Sequence, residues 1–377
     1  MIIRSAAFCL FTTAIFSIAA AYFFYPLIVK LLSYKKHIKK AQKKSVINSQ
    51  LITVSVIIPF VSELHSVVEK IKSLNSLEFS DMRIDFIIVN DGCPAIKGNE
   101  IYSALKLFSN DYKIKIVKLS KNYGKTFAQY IGALNSGSDF LLFTDCNSIF
   151  SESYFSGLKQ IIQSGAELAG GFLKYRKNGA TEENYWKFET NLKTNEQRAG
   201  FFNTGMFGSN IVISKKLYLD YPYYVFCDFS LPLYHQNKAG KREILKEELY
   251  VTETIDDDTA TEVFHSKKRI VHRALFGMLK SGILSGGFQL LLAVQLYFHK
   301  ITRWLSLLWI MIVCAYIILY ADKKIVYIFF IISALILSIT ILKKNLRYAA
   351  VVTAAAFAGI LCFCISPALH KWKPSKK

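Results

Sequence analysis

The chain of 377 residues has no two cysteines spaced as CxxC; its seven, Cys9, Cys93, Cys146, Cys227, Cys314, Cys362 and Cys364, are scattered, several of them inside apolar runs. That spacing supports neither a zinc ribbon nor a disulfide framework, and it makes a reducing compartment the expectation for the polar part. Neither GxxxxGK[ST] nor GxGxxG occurs, so a P-loop or dinucleotide-binding reading has no footing. Acidic residues are scarce, 27 against 47 basic, which leaves a net charge of +20. With 52% hydrophobic residues and a mean hydropathy of +0.28, the chain is too apolar for an ordinary soluble enzyme and too polar for an all-membrane transporter. Its 14% aromatic content excludes a disordered chain.

What is present begins with apolar runs. No charged residue falls between Ser5 and Val29, a stretch long enough to cross a bilayer. Ala19-Ala20-Ala21 resembles a signal cleavage site, but the run continues beyond it through Val29, which favours an uncleaved anchor. Lys30, Lys35, Lys36, Lys39, Lys40, Lys43 and Lys44 follow, against only Arg4 in front. The positive-inside rule then predicts a cytoplasmic polar domain, with anionic membrane lipids rather than nucleic acid as partners of the basic excess. Three more uncharged runs, Trp304–Ala321, Ile325–Leu342 and Tyr348–Leu369, predict spans, which gives four in all at the inner (plasma) membrane. The basic residues around them do not fix the parity. Ser281–Phe298 carries Gly282, Gly286, Gly287, Gln289 and Gln295, and reads as an interfacial amphipathic helix. The expected organisation is an anchor at 1–32, a basic linker at 33–50, a cytoplasmic domain at 51–275, an interfacial helix at 276–300, three spans at 301–370 and a basic tail at 371–377.

Chemistry belongs to the segment between the anchors. Ile52–Phe60, Ile84–Asn90, Lys113–Leu119 and Phe140–Thr144 read as strands, while Leu64–Leu77 and Thr126–Leu134 read as helices. Alternation of this kind predicts an α/β fold with a mixed, mostly parallel central sheet. Ligands bind beyond the carboxyl ends of such strands. Three polar stops fall there: Pro59 with Glu63, Asn90-Asp91, and Asp145-Cys146-Asn147. Taken singly, each acidic residue also reads as a turn residue or cap. Lys125, at a predicted helix start, suits an anion.

Taken in order, Val54-Ser-Val-Ile-Ile-Pro59 with Glu63, Val89-Asn-Asp91-Gly92, Gly124-Lys125 and Phe143-Thr-Asp145-Cys-Asn147 resemble the family 2 glycosyltransferases of the GT-A fold, in their membrane-bound branch. The likeness continues through Glu183-Asn-Tyr-Trp186-Lys-Phe-Glu189, Gly205-Met-Phe-Gly208, Cys227-Asp228-Phe229, Lys267-Lys-Arg269-Ile-Val-His-Arg273 and His299-Lys300-Ile-Thr-Arg303-Trp304. It implies inverting transfer of a sugar from a nucleotide-sugar, a UDP-sugar first, to a glycan or lipid-linked acceptor in cell-surface polysaccharide synthesis. It further implies that Pro59, Glu63, Asp91, Lys125, Asp145, Arg269 and Arg273 bind the donor, and that Trp186, Gly205 and Gly208 line the acceptor side. Asp145 and Asn147 would hold Mg²⁺ or Mn²⁺, which suits hard oxygen ligands and a diphosphate leaving group. Asp228 would be the catalytic base.

Two departures stand out. Asn147 replaces the commoner second aspartate, and Cys227 stands where relatives carry an acid, with His235 as its nearest histidine and a residue that reads as surface. They keep open a second reading, a catalytically weak nucleotide-sugar-binding or scaffold subunit of a glycan assembly complex. Asp256-Asp257-Asp258 reads as an acidic loop, and Glu253 has only a weak counterpart in the family.

Overall fold

The computed structural model describes residues 2–37, 51–61, 64–74, 77–93, 113–175, 181–221, 228–239, 245–253, 259–280 and 290–366. β1 (Thr53–Phe60), β2 (Arg83–Asn90), β3 (Lys113–Lys118) and β4 (Phe140–Phe143) lie side by side in parallel, joined through α3 (Leu64–Leu74) and α4 (Lys125–Leu134). Parallel pairing demands crossovers, and helices on both faces bury side chains of either parity. Val54, Val56, Ile58 and Phe60 of β1 pack towards Val67, Ile71 and Leu74 of α3 and towards Phe155 and Leu158 of α5 (Tyr154–Gln163). Ile57, from the opposite parity, packs with Val89, Phe143 and the α4 residues Ala128 and Ala133. A methyl on Gly132 would stand 2.5 Å from Ile57 Cγ2, which is how closely α4 rides over β1.

The second half of the sheet reverses direction. β7 (Ile211–Ser214) runs antiparallel between β4 and β6 (Leu168–Tyr175), β8 (Leu245–Glu253) is parallel to β6, and the short β5 (Ser148–Phe150) closes the edge antiparallel to β8. The order is β3-β2-β1-β4-β7-β6-β8-β5, a mixed, mostly parallel sheet as expected. Two further helices complete this layer: α6 (Thr181–Arg198) and α7 (Lys215–Leu219). α7 is capped by the Ser214 hydroxyl, which accepts from Leu217 N at 3.3 Å. α8 (Ser230–Ala239) follows Asp228.

The ends of the chain are helical. α1 (Ile2–Ala19), a π-helical turn (Ala20–Phe24) and α2 (Tyr25–His37) form one run, of which Ile3–Tyr34 is long and apolar enough to cross a membrane. The same holds for Lys323–Thr340 in α13 (Lys323–Leu342) and for α14 (Lys344–Ile365). α9 (Ala260–Lys280) is continuous through residue 275, where the sequence placed a domain boundary. Its buried face extends to Met278, so nothing interrupts the helix there. α10 (Leu290–Leu296), a second π turn (Tyr297–Ile301) and α11 (Thr302–Trp304) precede α12 (Ser306–Tyr320). The expected span at Trp304–Ala321 falls on α11's last residue and α12. α12 has 15 residues and reaches spanning length only together with Leu290–Trp304, from which it bends by 67°. Among the described residues three helices are of spanning length, or up to four if the bent pair is one span. Residues 281–289 of the expected interfacial helix, and 38–50 of the basic linker, lie outside the described residues. α14 leans on α9: a Cβ on Gly359 would meet the Lys268 carbonyl oxygen at 2.8 Å, and Ala355 and Ala356 are buried beside it.

Candidate active site

The carboxyl ends of β1, β2 and β4 open side by side because Phe60 pairs with Asn90 and Ile57 with Phe143. Pro59 is buried in β1 opposite Val89. Asp91 leaves β2 with its amide donating to the Phe60 carbonyl at 2.9 Å, and its side chain is 1% exposed. Both of its carboxylate oxygens accept backbone N–H groups, from Tyr123 and Gly124, each at 2.8 Å. Burial raises this carboxyl above its usual range and the two amides pull it back. Asp91 therefore fastens the loop before α4. Gly92 makes that approach possible: it sits at φ +77°, and a Cβ there would lie 2.2 Å from the Lys121 carbonyl carbon.

Lys125, the first residue of α4, forms an ion pair with Asp145 Oδ1 at the end of β4, so the expected anion ligand and the expected metal ligand face each other. Arg273 of α9 donates to Thr126 Oγ1 on the same rim. Arg269, one turn away, is half-buried, and burial and Arg273 lower its guanidinium. Asn147 is exposed. The turn that presents Asp145 and Asn147 is closed by Ser148, whose amide and hydroxyl donate to the Asp145 carbonyl at 3.3 and 2.9 Å.

Two residues on this side escaped the sequence reading or were undervalued by it. Lys70 of α3 is fully buried beneath the turn, its ammonium donating to Thr144 Oγ1 at 2.9 Å, to Ser148 Oγ at 3.2 Å and to the Ser148 carbonyl. Glu253, at the end of β8, pairs with Ser148 across the β5–β8 ladder. Burial, then the charge of Asp145, pushes its carboxyl up to about 7, while the Ser209 side chain, Lys125 and Lys70 work in the other direction.

A second group of expected site residues gathers around Asp228. Its carbonyl accepts from Met206 N at 2.7 Å, and Cβ atoms placed on Gly205 and Gly208 would stand 3.6 Å from its carbonyl oxygen and 3.7 Å from Oδ2. Both glycines thus keep the space round Asp228 free, Gly205 at φ +130° where a side chain would also be strained. Trp186 packs at a tilt, 5.6 Å between ring centres, against Phe207, between those glycines, and Lys267 Nζ lies 4.8 Å from the Trp186 ring centre. Lys193, 4% exposed, points at the same loop, 5.0 Å over Phe207. Ser209 follows Gly208 in the chain, and its side chain hydrogen-bonds Glu253, which lies within the field of Asp145. The arc Asp91, Gly124, Lys125, Asp145, Glu253, Ser209, Gly208, Asp228 is therefore continuous.

Glu63, Cys227 and Asp256-Asp257-Asp258 lie outside the described residues. His235 is 2% exposed, correcting its reading as a surface residue: it sits in α8 among buried neighbours Leu231 and Leu233. A second polar cluster, unread from sequence, joins α6 to the terminal helices. Glu189 faces His299 Nε2 at 3.1 Å, Arg303 at 3.0 Å and Lys300, while Glu196 faces His299 Nδ1 at 2.7 Å and accepts from Tyr25 Oη at 2.5 Å. Lys300, His299 and Arg303 together outweigh the burial of Glu189 and hold it well below the usual carboxylate range. Thr204, 2.9 Å from His299 Nδ1, links this cluster to the Gly205 loop.

Among the described residues no three His, Cys, Asp or Glu side chains converge as a ready-made metal cage. Asp145 and Asn147 offer hard oxygen donors of the kind that bind Mg²⁺ or Mn²⁺ together with phosphate oxygens and water. The rim chemistry fits that ion.

Residues 55–221 match the family described as Glycosyl transferase family 2. A comparison with curated proteins finds no match. Among solved structures, the mannosyltransferase PcManGT from Pyrobaculum calidifontis, in complex with GDP-Man and Mn2+, aligns with a TM-score of 0.68 at 16% identity, over 94% of this chain and 98% of that one. S. aureus TarS 1-349 in complex with UDP aligns with a TM-score of 0.46 at 14% identity, over 86% of this chain and 95% of that one. The first of these likenesses carries the fold. With the family match over the segment that holds Asp91 and Asp145, residues 55–221 form a family 2 glycosyltransferase domain.

Proposed function

We propose that the protein is a membrane-anchored enzyme that moves a sugar from a nucleoside-diphosphate donor to a glycan or lipid-linked acceptor, with inversion at the anomeric carbon. The observation that carries this reading is the continuous arc from Asp91 through Asp145 to Asp228. In this reading Asp91, Pro59 and the loop it fastens receive the nucleotide, and Lys125, Arg269 and Arg273 face the diphosphate. Asp145 and Asn147 hold a divalent cation, which when bound stabilises charge on the departing diphosphate oxygen. Mn2+ accompanies the donor in PcManGT, which supports the choice of ion. Asp228 accepts the acceptor hydroxyl's proton as that oxygen attacks the anomeric carbon. Trp186, beside Phe207, offers an aromatic face to a sugar ring.

A lipid-linked acceptor is favoured by the surroundings. A groove bordered by Met278, Val294, Leu296, Phe298 and Ile301 is almost wholly apolar. Leu296 and Met278 share a core cluster with Phe229, the residue after Asp228. With spans at both ends, enzyme and acceptor are confined to one plane, the catalytic domain facing the cytoplasm. The test is transfer by full-length protein in detergent from UDP- and GDP-sugars to a lipid extract, with the product's anomeric configuration read by NMR. Inverted product that disappears with EDTA and returns with Mn²⁺ is expected. Retained configuration, or turnover indifferent to EDTA, contradicts the reading.

A further inference from the structure

Position 70 calls for an apolar residue: it lies on the face of α3 that carries Val67, Ile71 and Leu74 into the core. It holds instead a lysine with 0% exposure, and among the described residues that ammonium forms no ion pair. The Phe150 ring lies 3.9 Å from Nζ. Burial lowers its ammonium to about 7, and the three oxygens around it act in the other direction. The Ser148 hydroxyl donates to the Asp145 carbonyl, so in the 2.8 Å contact between the two hydroxyls Thr144 is the donor. Both hydroxyl protons are then spent, and Thr144 Oγ1, Ser148 Oγ and the Ser148 carbonyl present only lone pairs to Nζ. Three acceptors match the three N–H groups of an ammonium, whereas a neutral amine would set lone pair against lone pair.

Burying an unpaired ammonium is costly, and a cost kept beside a strand-end site points to use there. The groups whose fields reach Lys70 are Asp145 and Glu253, with Cys146 between them. Those two carboxylates come to one place because Ser148 and Glu253 are register partners. We propose that Lys70 is a built-in counter-charge beneath the Asp145–Asn147 turn, which holds the two carboxylates together in the empty site, so that a divalent cation enters with the nucleoside diphosphate rather than ahead of it. This rests on the reading of the turn as the cation and diphosphate site. A fixed positive charge there opposes a cation alone and attracts a diphosphate alone, the reverse of what a further carboxylate would do. It also acts with Asn147, which leaves the turn one charge short of an aspartate pair.

The sign of the effect separates a counter-charge from a brace. Lys70→Gln keeps a donor for Thr144 and Ser148 and removes the charge; Lys70→Arg keeps the charge. In full-length protein in detergent at pH 6.5, Mn²⁺ binding without nucleotide is read by electron paramagnetic resonance, and UDP and GDP binding in EDTA by calorimetry. Lys70→Gln is expected to tighten Mn²⁺ and to weaken the nucleotide, each about tenfold, the size of a unit charge several ångströms away in a partly wet site. Lys70→Arg should stay near wild type. Both affinities falling together would mark a structural brace, and neither moving would mark an inert residue; either result overturns the proposal. If Lys70→Gln does not fold, Glu253→Gln measured at pH 8, above the value to which burial pushes that carboxyl, removes the opposite charge from the same site and must give the mirror-image shift, and no shift overturns the proposal. Wild type that binds neither Mn²⁺ nor nucleotide rejects the site reading itself, a different failure from a wrong sign in the variant.

Discussion

The chemistry of this domain is set by ionisable groups withdrawn from water. Asp91 spends both oxygens on the backbone of the neighbouring loop, Lys70 donates to a turn, and Glu189 faces Lys300, His299 and Arg303. Lys193 is the exception, since its burial is offset only by more distant carboxylates. Burial, then repulsion from Lys300, lowers its ammonium to about 8, against the attraction of Glu189, Asp228 and Glu196. The unfolded chain keeps that proton up to the ordinary lysine range near 10.4, so between about pH 8 and that limit the unfolded state binds more protons than the folded one. Stability is therefore expected to rise with pH across that window. Lys193→Met should flatten the rise, measured as the thermal unfolding midpoint in detergent between pH 7.5 and 10. An equal slope in the two proteins would remove Lys193 as its source.

At the scale of elements, what was legible in the sequence follows from burial. β1, β2 and β4 are covered on both faces, so they read as largely apolar runs, and their polar stops at Asp91 and Asp145 were visible as punctuation. β6 and β8 were not, because β6 carries Gly170-Gly171 and β8 begins with the exposed charges of Leu245-Lys-Glu-Glu. The structure explains the glycines: a Cβ on Gly171 would stand 1.6 Å from the Leu249 carbonyl oxygen, at the bulge where β6 meets β8. A lysine on an apolar helical face reads as a snorkelling surface residue, which hid Lys70. Two glycines give predictions of their own. Gly92→Ala strains a left-handed backbone and strikes the Lys121 backbone, so it should lower both the unfolding midpoint and nucleotide affinity. An unchanged nucleotide affinity would detach that loop from the donor site. Gly359→Leu should push α14 off the Lys268 carbonyl and Val271, and it should cost about 1–3 kcal/mol of stability as overpacking does. A midpoint equal to wild type would show that α14 does not bear on α9.

Across the whole molecule, a sheet whose strand ends collect the groups proposed to bind the donor is bordered by helices long and apolar enough to cross a membrane. The two regions are joined by polar side chains, with Tyr25 of the amino-terminal helix and His299 of the second π turn meeting on Glu196, next to the glycine loop round Asp228. The motifs that resemble the family supplied Asp91, Asp145, Gly205, Gly208 and Asp228 one by one. Their adjacency needed the fold, because it depends on β5 pairing with β8 and on the Met206–Asp228 hydrogen bond, neither of which has a sequence period.

The central claim separates binding from chemistry, and one paired measurement on Asp145→Ala and Asp228→Asn tests it: nucleotide-sugar affinity with Mn²⁺ beside turnover under the same conditions. Asp145→Ala is expected to lose donor affinity and turnover together. Asp228→Asn is expected to bind the donor as wild type does while turnover falls by about 10²–10⁴-fold, the usual worth of a general base. Turnover of Asp228→Asn equal to wild type, or donor affinity unmoved in Asp145→Ala, would contradict the account.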